Sequence, residues 1–349
     1  MVEEQSTGGI APVEGTGGRR RLGSFCQDCW QWTDFRSNSE EVRDMSFLFE
    51  AGVFKDRCIV GGSLRGEVTE VEWNKFISSY LKPGKAPGPS KVPNELIKKA
   101  SSIEMRILRA WANQILTADQ ITPDILCEED VHGVISLLHK GGGTTIHPSD
   151  WRPVVLMDGM NQLLGYIILE RLTRLAEGSN VLETGQGSYR EVRGGDLNMH
   201  KIDFLARQAR EQCRVLLRAD VDFANAFNSV SHGALWAVLE GFGVPDVDWL
   251  KQLYAKLTVR LKGEADVGSS IVLNTGVAQG HVLSPFLFIL FVNDLSRYLT
   301  AVGGKHGIEH GIQGVRGWNH TVFCEDLTLF AQSEAGLQTL LEAVSVFED

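Results

Sequence analysis

The sequence predicts an α+β fold with a mostly antiparallel sheet. Short apolar stretches with period-two alternation, such as 215–222, are interleaved with longer stretches at helical spacing, such as 161–175. Several of the short stretches come in pairs joined by brief polar loops, which reads as hairpins and not as parallel crossovers. Hydrophobic residues make up 43% of the 349-residue chain and charged residues 22%, so there is ample apolar surface for a buried core.

Residues 1–45 are rich in Gly, Ser and Thr near their start and are expected to form a disordered or weakly structured tail. Arg19–Arg21 is too short for a basic targeting patch, and Cys26-Gln-Asp-Cys29 is a lone CxxC without a second ligand pair, a weak zinc signal. Residues 46–119 form a second unit. In it Thr69-Glu-Val-Glu72 reads as a capping box opening a helix through Trp73, Phe76, Ile77 and Tyr80. The stretch Lys82 to Lys91 is dense in Pro and Gly; it reads as a linker, or as a loop whose cations face phosphates. One helix is expected from about Asn94 through Ile107 and Ile115.

The main unit spans 120–349. Val134–Lys140 and Trp151–Leu156 read as a hairpin that brings Lys140 near Arg152. Helices are expected at 161–175 and 197–213, with a loop at Gly185–Arg190 between them. The strand ending at Asp222 then turns into a helix carrying Leu235, Val238, Leu239 and Phe242, stopped by Gly243. After a helix at 249–257, Val259–Lys262 and Ser270–Asn274 form another expected hairpin. A glycine-bounded turn at Thr275–Gly280 leads to Ser284 as N-cap, Pro285 at the first helical position, and a buried apolar helix to Leu299. Beyond the glycine-rich connector 303–317, Thr321–Cys324 and Leu327–Phe330 are strands, with Glu325-Asp326 as their turn and a last helix from Glu334 to Phe347.

The net charge of −10 argues mildly against nucleic acid, since phosphate neutralisation favours basic domains. Taken alone it would fit a metabolic enzyme with a carboxylate pair. The longest apolar run, Val282–Val292, is too short for a membrane span, and Met1 is not followed by a signal-peptide pattern. Six scattered cysteines fit a reducing compartment, so a soluble intracellular protein with no membrane partner is expected. Nothing in the sequence decides for or against the nucleus.

Two acidic positions stand out for chemistry. Asp222 ends a strand, where a rigid backbone and an open tip suit a metal ligand, and Phe323-Cys-Glu-Asp326 supplies a second acidic cluster in strand-like sequence. An isolated strand-end Asp is more often a cap; the second cluster shifts that balance.

From about Val68 onward, the ordered set of motifs resembles the reverse transcriptase of the non-LTR (LINE-type) retrotransposon family. Lys85-Ala-Pro-Gly-Pro89 resembles that family's Lys-Ala-Pro-Gly-Pro-Asp-Gly loop, departing at Ser90 and Lys91. Leu138-His-Lys140 and Trp151-Arg-Pro153 resemble its finger motifs, and Gln186-Gly-Ser-Tyr-Arg190 loosely resembles Gln-x-Gly-Phe-Arg. Asp222-Phe-Ala-Asn-Ala-Phe227 resembles Asp-x-x-Lys-Ala-Phe, and Gly276–Gly280 with Leu283-Ser-Pro285 resembles Gly-Val-x-Gln-Gly-x-x-Leu-Ser-Pro. Phe323-Cys-Glu-Asp326 stands where Phe-Ala-Asp-Asp is expected.

The resemblance implies polymerase fingers and palm, with a mostly antiparallel palm sheet. It implies RNA-directed DNA polymerase activity by two-metal nucleotidyl transfer, with two Mg²⁺ (or Mn²⁺) ions, an RNA template, a DNA primer and deoxynucleoside triphosphates. Asp222, Glu325 and Asp326 would be the catalytic carboxylates, and with the Phe223 carbonyl the metal ligands. Lys140, Arg152, Phe223, Phe227, Gln279 and Gly280 would line the nucleotide site, Phe227 as the ring that excludes a ribose 2′-hydroxyl. By itself Phe227 reads as a core ring. Glu325 replaces the usual Asp, and its extra methylene displaces the carboxylate by roughly 1 Å, a shift expected to lower the rate about 10²-fold. Asn225, Asn228 and Ala278 also depart from the pattern. The family's thumb is missing from these residues and is expected from a partner chain or a downstream segment. A catalytically inactive remnant with at most nucleic-acid binding is the alternative.

Overall fold

The computed structural model describes residues 57–127, 130–141, 150–190, 194–223, 225–262, 270–303 and 318–348. The expectations for residues 1–45, for Arg19–Arg21, for Cys26 and Cys29 and for the connector 304–317 lie outside them.

Among the described residues the helices are α1 (Glu70–Lys75), α2 (Asn94–Lys98), α3 (Ser102–Thr117), α4 (Gly159–Gly178), α5 (Gly195–Glu211), α6 (Ala226–Ser229), α7 (His232–Gly241), α8 (Val247–Ala255), α9 (Ser284–Gly303) and α10 (Glu334–Glu348). The strands are β1 (Gly133–His139), β2 (Trp151–Leu156), β3 (Leu217–Asp222), β4 (Thr258–Leu261), β5 (Ile271–Val272), β6 (His320–Phe323) and β7 (Asp326–Ala331). They form a four-stranded sheet in the order β2-β1-β4-β5 and a three-stranded sheet in the order β3-β7-β6.

Side-chain caps at Thr69, Ser101 and Ser231 open α1, α3 and α7. The capping box at α1 is complete: the Glu72 N–H donates to Thr69 Oγ1 at 3.2 Å, and the Thr69 N–H donates to Glu72 Oε2 at 2.9 Å. The helix widens into a π-helical turn at Phe76–Tyr80, where the Tyr80 ring stacks on Phe76 with centroids 5.6 Å apart. The single helix expected from Asn94 onward is instead two. Ser101 caps α3 with its own box to Glu104, and an N-cap residue must leave helical geometry, so α2 stops before it.

All three expected hairpins form, β1 with β2, β4 with β5 and β6 with β7, each antiparallel. The larger sheet is nevertheless mixed, because β4 joins β1 in parallel, with Val134 opposite Arg260. This pairing links segments more than a hundred residues apart and has no local signal. The smaller sheet is antiparallel throughout, as expected.

The core lies around α4 and α9. Leu163, Ile167, Ile168, Leu172, Leu287, Ile289, Leu290 and Leu295 are all essentially inaccessible, each worth about 1.5–3 kcal/mol relative to exposure. Residues 57–68 are tied to this core by Arg171 of α4. Its guanidinium donates to both Glu72 oxygens at 2.9 and 3.0 Å and to the carbonyls of Leu64, Gly66 and Glu67. No helix among the described residues is long and apolar enough to cross a membrane.

Candidate active site

Alternation along β3 puts Arg218, Asp220 and Asp222 on the exposed face of the smaller sheet. On the neighbouring strand β7, Asp326 lies directly opposite Asp222, Thr328 opposite Asp220, and Phe330 opposite Arg218. The two carboxylates expected to act together are therefore cross-strand partners. The expected turn is corrected by one residue: Phe323 pairs with Asp326, so the turn is Cys324-Glu325 and Asp326 belongs to β7. A two-residue turn between strands of this twist demands positive φ, and Cys324 adopts φ +58. Glu325 thus sits on the tip of the turn, and Asp326 at the end of a rigid strand.

The cluster is electrostatically strained. Burial pushes the Asp326 carboxyl up from its ordinary value, and Glu325, Asp222 and Asp220 push it further. Asp220 escaped the motif reading, although its spacing of two from Asp222 places it on the same strand face. Its Oδ1 accepts from Arg218 Nε at 2.9 Å and from Thr328 Oγ1 at 2.9 Å. Hard carboxylate oxygens facing each other at Asp222 and Asp326 suit Mg²⁺ or Mn²⁺ chemically, while Arg218 pairs with Asp220 at 2.8 Å. Among the described residues, however, no three His, Cys, Asp or Glu side chains already converge as a metal cluster.

A loop joins this region to the larger sheet. The Val277 N–H donates to the Phe227 carbonyl at 2.7 Å, and the Gly276 N–H donates to that of Val230 at 2.8 Å. Further along, the Gln279 carbonyl accepts the Val155 N–H of β2 at 2.6 Å. Gly280 follows at φ +115, where an added Cβ would lie 2.2 Å from the Val155 oxygen; only glycine fits there. Gln162 of α4 clamps the same loop, its amide donating to the Gly280 carbonyl and accepting the Val282 N–H, both at 2.9 Å. Gln162 was not anticipated; the available signal was a polar residue inside an apolar helix. A shallow pocket opens beside the loop, lined by Pro153, Asn228, Gly276 and Gln279.

Lys140 and Arg152 come together as the hairpin reading requires. Leu138 is opposite Arg152, and the Lys140 N–H donates to the Asp150 carbonyl at 2.7 Å, so both cations emerge on one face beside the connecting loop. Phe223 and Phe227 are half-buried against the core. The Phe227 ring stacks on Phe288 at 4.5 Å, so it serves as core packing whatever else it does. Lys85–Pro89 is not a free linker. Asp158 accepts from both the N–H and the hydroxyl of Ser90, and Gly88 packs so close that a Cβ would lie 2.3 Å from the Asp158 nitrogen.

Residues 138–348 match the reverse transcriptase (RNA-dependent DNA polymerase) family, and the chain belongs to it. It is similar to a retrovirus-related Pol polyprotein from the type-2 retrotransposable element R2DM of Drosophila melanogaster, at 26% identity over 80% of this chain and 26% of that protein. A Pol polyprotein from the type-1 retrotransposable element R2 of Popillia japonica is 27% identical over 61% of this chain and 29% of its own length. The RNA-directed DNA polymerase from mobile element jockey of Drosophila funebris is 23% identical over 83% of this chain and 32% of its own. The chain thus spans roughly a quarter to a third of these relatives. The resemblance to non-LTR retrotransposon polymerases read from the motifs holds.

Proposed function

We propose that this chain carries the fingers and palm of an RNA-directed DNA polymerase, extending a DNA primer on an RNA template from deoxynucleoside triphosphates. The observation that carries the proposal is the pairing of Asp222 with Asp326 across adjacent strands, with Glu325 on the turn between β6 and β7. The smaller sheet is the palm in this reading and the larger one belongs to the fingers. The side chains of Asp222, Glu325 and Asp326 and the carbonyl of Phe223 would hold two Mg²⁺ or Mn²⁺ ions. Bound there, such ions stabilise charge on the attacking and leaving oxygens of an in-line displacement.

The protein's own groups do the rest. Lys140 and Arg152, on one hairpin face, neutralise and orient the triphosphate. Gln279 and Gly280, locked to Val155 and Gln162, give the nucleotide a fixed wall. Phe227, held by its stack on Phe288, limits room at the sugar. The exposed lysines 82, 85, 91, 98 and 99 form a local basic surface on an acidic chain, suited to the template backbone. A thumb would come from further chain or a partner.

Primer extension on an RNA template with Mg²⁺ or Mn²⁺ tests this reading. Extension that survives Asp222→Asn would remove Asp222 from the site. The second reading, an inactive remnant that only binds nucleic acid, is favoured by Glu325 standing in place of the family's Asp. Salt-dependent RNA binding without extension, in both the unaltered chain and Glu325→Asp, would establish it.

A further inference from the structure

The sheet face that carries the paired carboxylates also carries a cation, and that cation is held in place. Arg218 is the only Arg or Lys in the strands β3, β6 and β7. Its Nε donates to Asp220 Oδ1 at 2.9 Å, and its Nη2 lies 2.8 Å from the same oxygen. That oxygen is fixed from the neighbouring strand as well, because Thr328 Oγ1 donates to it at 2.9 Å. Contacts from two strands therefore lay the guanidinium along the face in the direction of Asp222.

Fold stability does not account for this pair. The side chains of Arg218 and Asp220 are 48% and 59% exposed, and ion pairs so open to water contribute little. Their effect is to orient an open cation. A guanidinium has five N–H donors in one plane, and Nη1 of Arg218 has no partner among the described residues.

Helix α5 bounds the patch on one side. Its Leu205 packs on Phe330, the cross-strand partner of Arg218, and so covers the end of the face away from Asp222. Arg210 and Arg214, both exposed, stand where α5 ends and the chain turns into β3, adding positive charge at that end. Arg207 belongs to another surface. It lies about 200° round the helix from Leu205 and pairs with Asp203. The open strip thus runs from cations beside α5 to the carboxylates Asp220, Asp222 and Asp326. Carboxylates repel a phosphodiester strand, whereas a fixed cation beside them anchors it. The strand rise puts Asp220, and the guanidinium it holds, about 7 Å from Asp222. At roughly 3.4 Å of rise per phosphate this spans about two nucleotides.

We infer that Arg218 binds a backbone phosphate of the primer strand, about two nucleotides from the end that meets Asp222. The identity of that strand rests on the polymerase reading; the phosphate contact rests on the geometry of β3 and β7.

The test is fluorescence anisotropy of the full chain with a labelled DNA-primer/RNA-template duplex over a range of salt. EDTA is present, so that no metal ion bridges the carboxylates. Arg218→Ala is expected to weaken the duplex about 3- to 10-fold and to lower the slope of log K against log salt by about 1. Arg218→Gln, which loses the charge and keeps the length, should do the same and carries the test if Arg218→Ala melts early. Arg218→Lys should keep the slope, and Arg207→Ala should change affinity less than about 2-fold. In extension assays Arg218→Ala should raise KM for the duplex by the same factor, with kcat changed less than about 2-fold. Unchanged affinity and slope on losing the Arg218 charge would overturn the inference, as would an equal loss in Arg207→Ala. A loss for single-stranded RNA and not for the duplex would overturn the assignment to the primer. Arg218-dependent duplex binding without extension would overturn the polymerase reading and leave the phosphate contact intact. Extension with an unchanged KM in Arg218→Ala would overturn the contact alone, and no duplex binding by the unaltered chain would overturn both.

Discussion

Glu72 and Asp326 are carboxylates in opposite surroundings. Burial pushes the Glu72 carboxyl up, but the Arg171 guanidinium and the Thr69 N–H outweigh it and hold the group down at about 2. Asp326 is pushed up by burial and then by three other carboxylates. The first group is answered within its own fold, by a cation and backbone donors at fixed distances. The second faces like charges, which a fold tolerates where a cation is to be bound. The same residue chemistry is compensated by the fold in one place and opposed by neighbouring carboxylates in the other.

The widest separation between the two regions should appear on removing one charge from each. Asp222→Asn is expected to lower primer extension by at least about 10³-fold, roughly 4 kcal/mol of transition-state stabilisation, without lowering the melting temperature. Extension assays paired with melts check this; a large loss of stability would mean that Asp222 is structural like Glu72. Conversely, Arg171→Ala should cost about 3–5 kcal/mol in urea unfolding, because Glu72 is left buried with only the longer 3.6 Å pairing to the exposed Arg174. A loss under 1 kcal/mol (on the order of a surface pair) would break the contrast.

The same pair sets a pH dependence. Glu72 ionises at about 2 in the folded chain against an ordinary 4.5, so its contribution is complete above about 4.5 and is lost as pH falls toward 2. The expected loss is about 3 kcal/mol, and acid unfolding should shift least in a Glu72→Gln variant, which has no such group to protonate.

Asp294 gives the smallest effect and the opposite sign. It is fully buried, neither oxygen has a hydrogen-bond partner among the described residues, and burial pushes its carboxyl up to about 6, opposed by Arg297. With the folded value above the unfolded one, stability contributed by this group rises as pH falls from about 6 toward 3.8. Asp294→Asn should stabilise the chain near neutral pH by about 1 kcal/mol, removing the charge while keeping a buried polar group. A destabilised variant would mean that the attraction of Arg297 for the ionised Asp294 outweighs the penalty of its burial.

Much of the candidate site was legible residue by residue. Asp222, Lys140, Arg152 and Gly280 lie where strand alternation, hairpin reading and motif order put them, whereas Asp326, expected in the turn, begins β7. Asp220 was equally legible from its spacing and was passed over because it belongs to no motif. Ser188 was legible only as part of a loose match, since nothing in its neighbours in sequence says that its hydroxyl accepts the Cys324 N–H at 2.8 Å. The π-helical turn and the parallel joining of β4 to β1 had no signal at all.

What the sequence by itself determined is everything encoded within a few residues: capping boxes, strand alternation, the glycine loop and the order of motifs. Tertiary structure alone decided which atoms meet: the Cys324-Glu325 register of the turn, the clamp of Gln162 on Gly280, the support of Ser188 under the turn, and the cage around Arg171. The division has a physical cause. Local preferences act through backbone geometry and nearby donors, whereas these contacts join segments brought together only when the shared core around α4 and α9 closes.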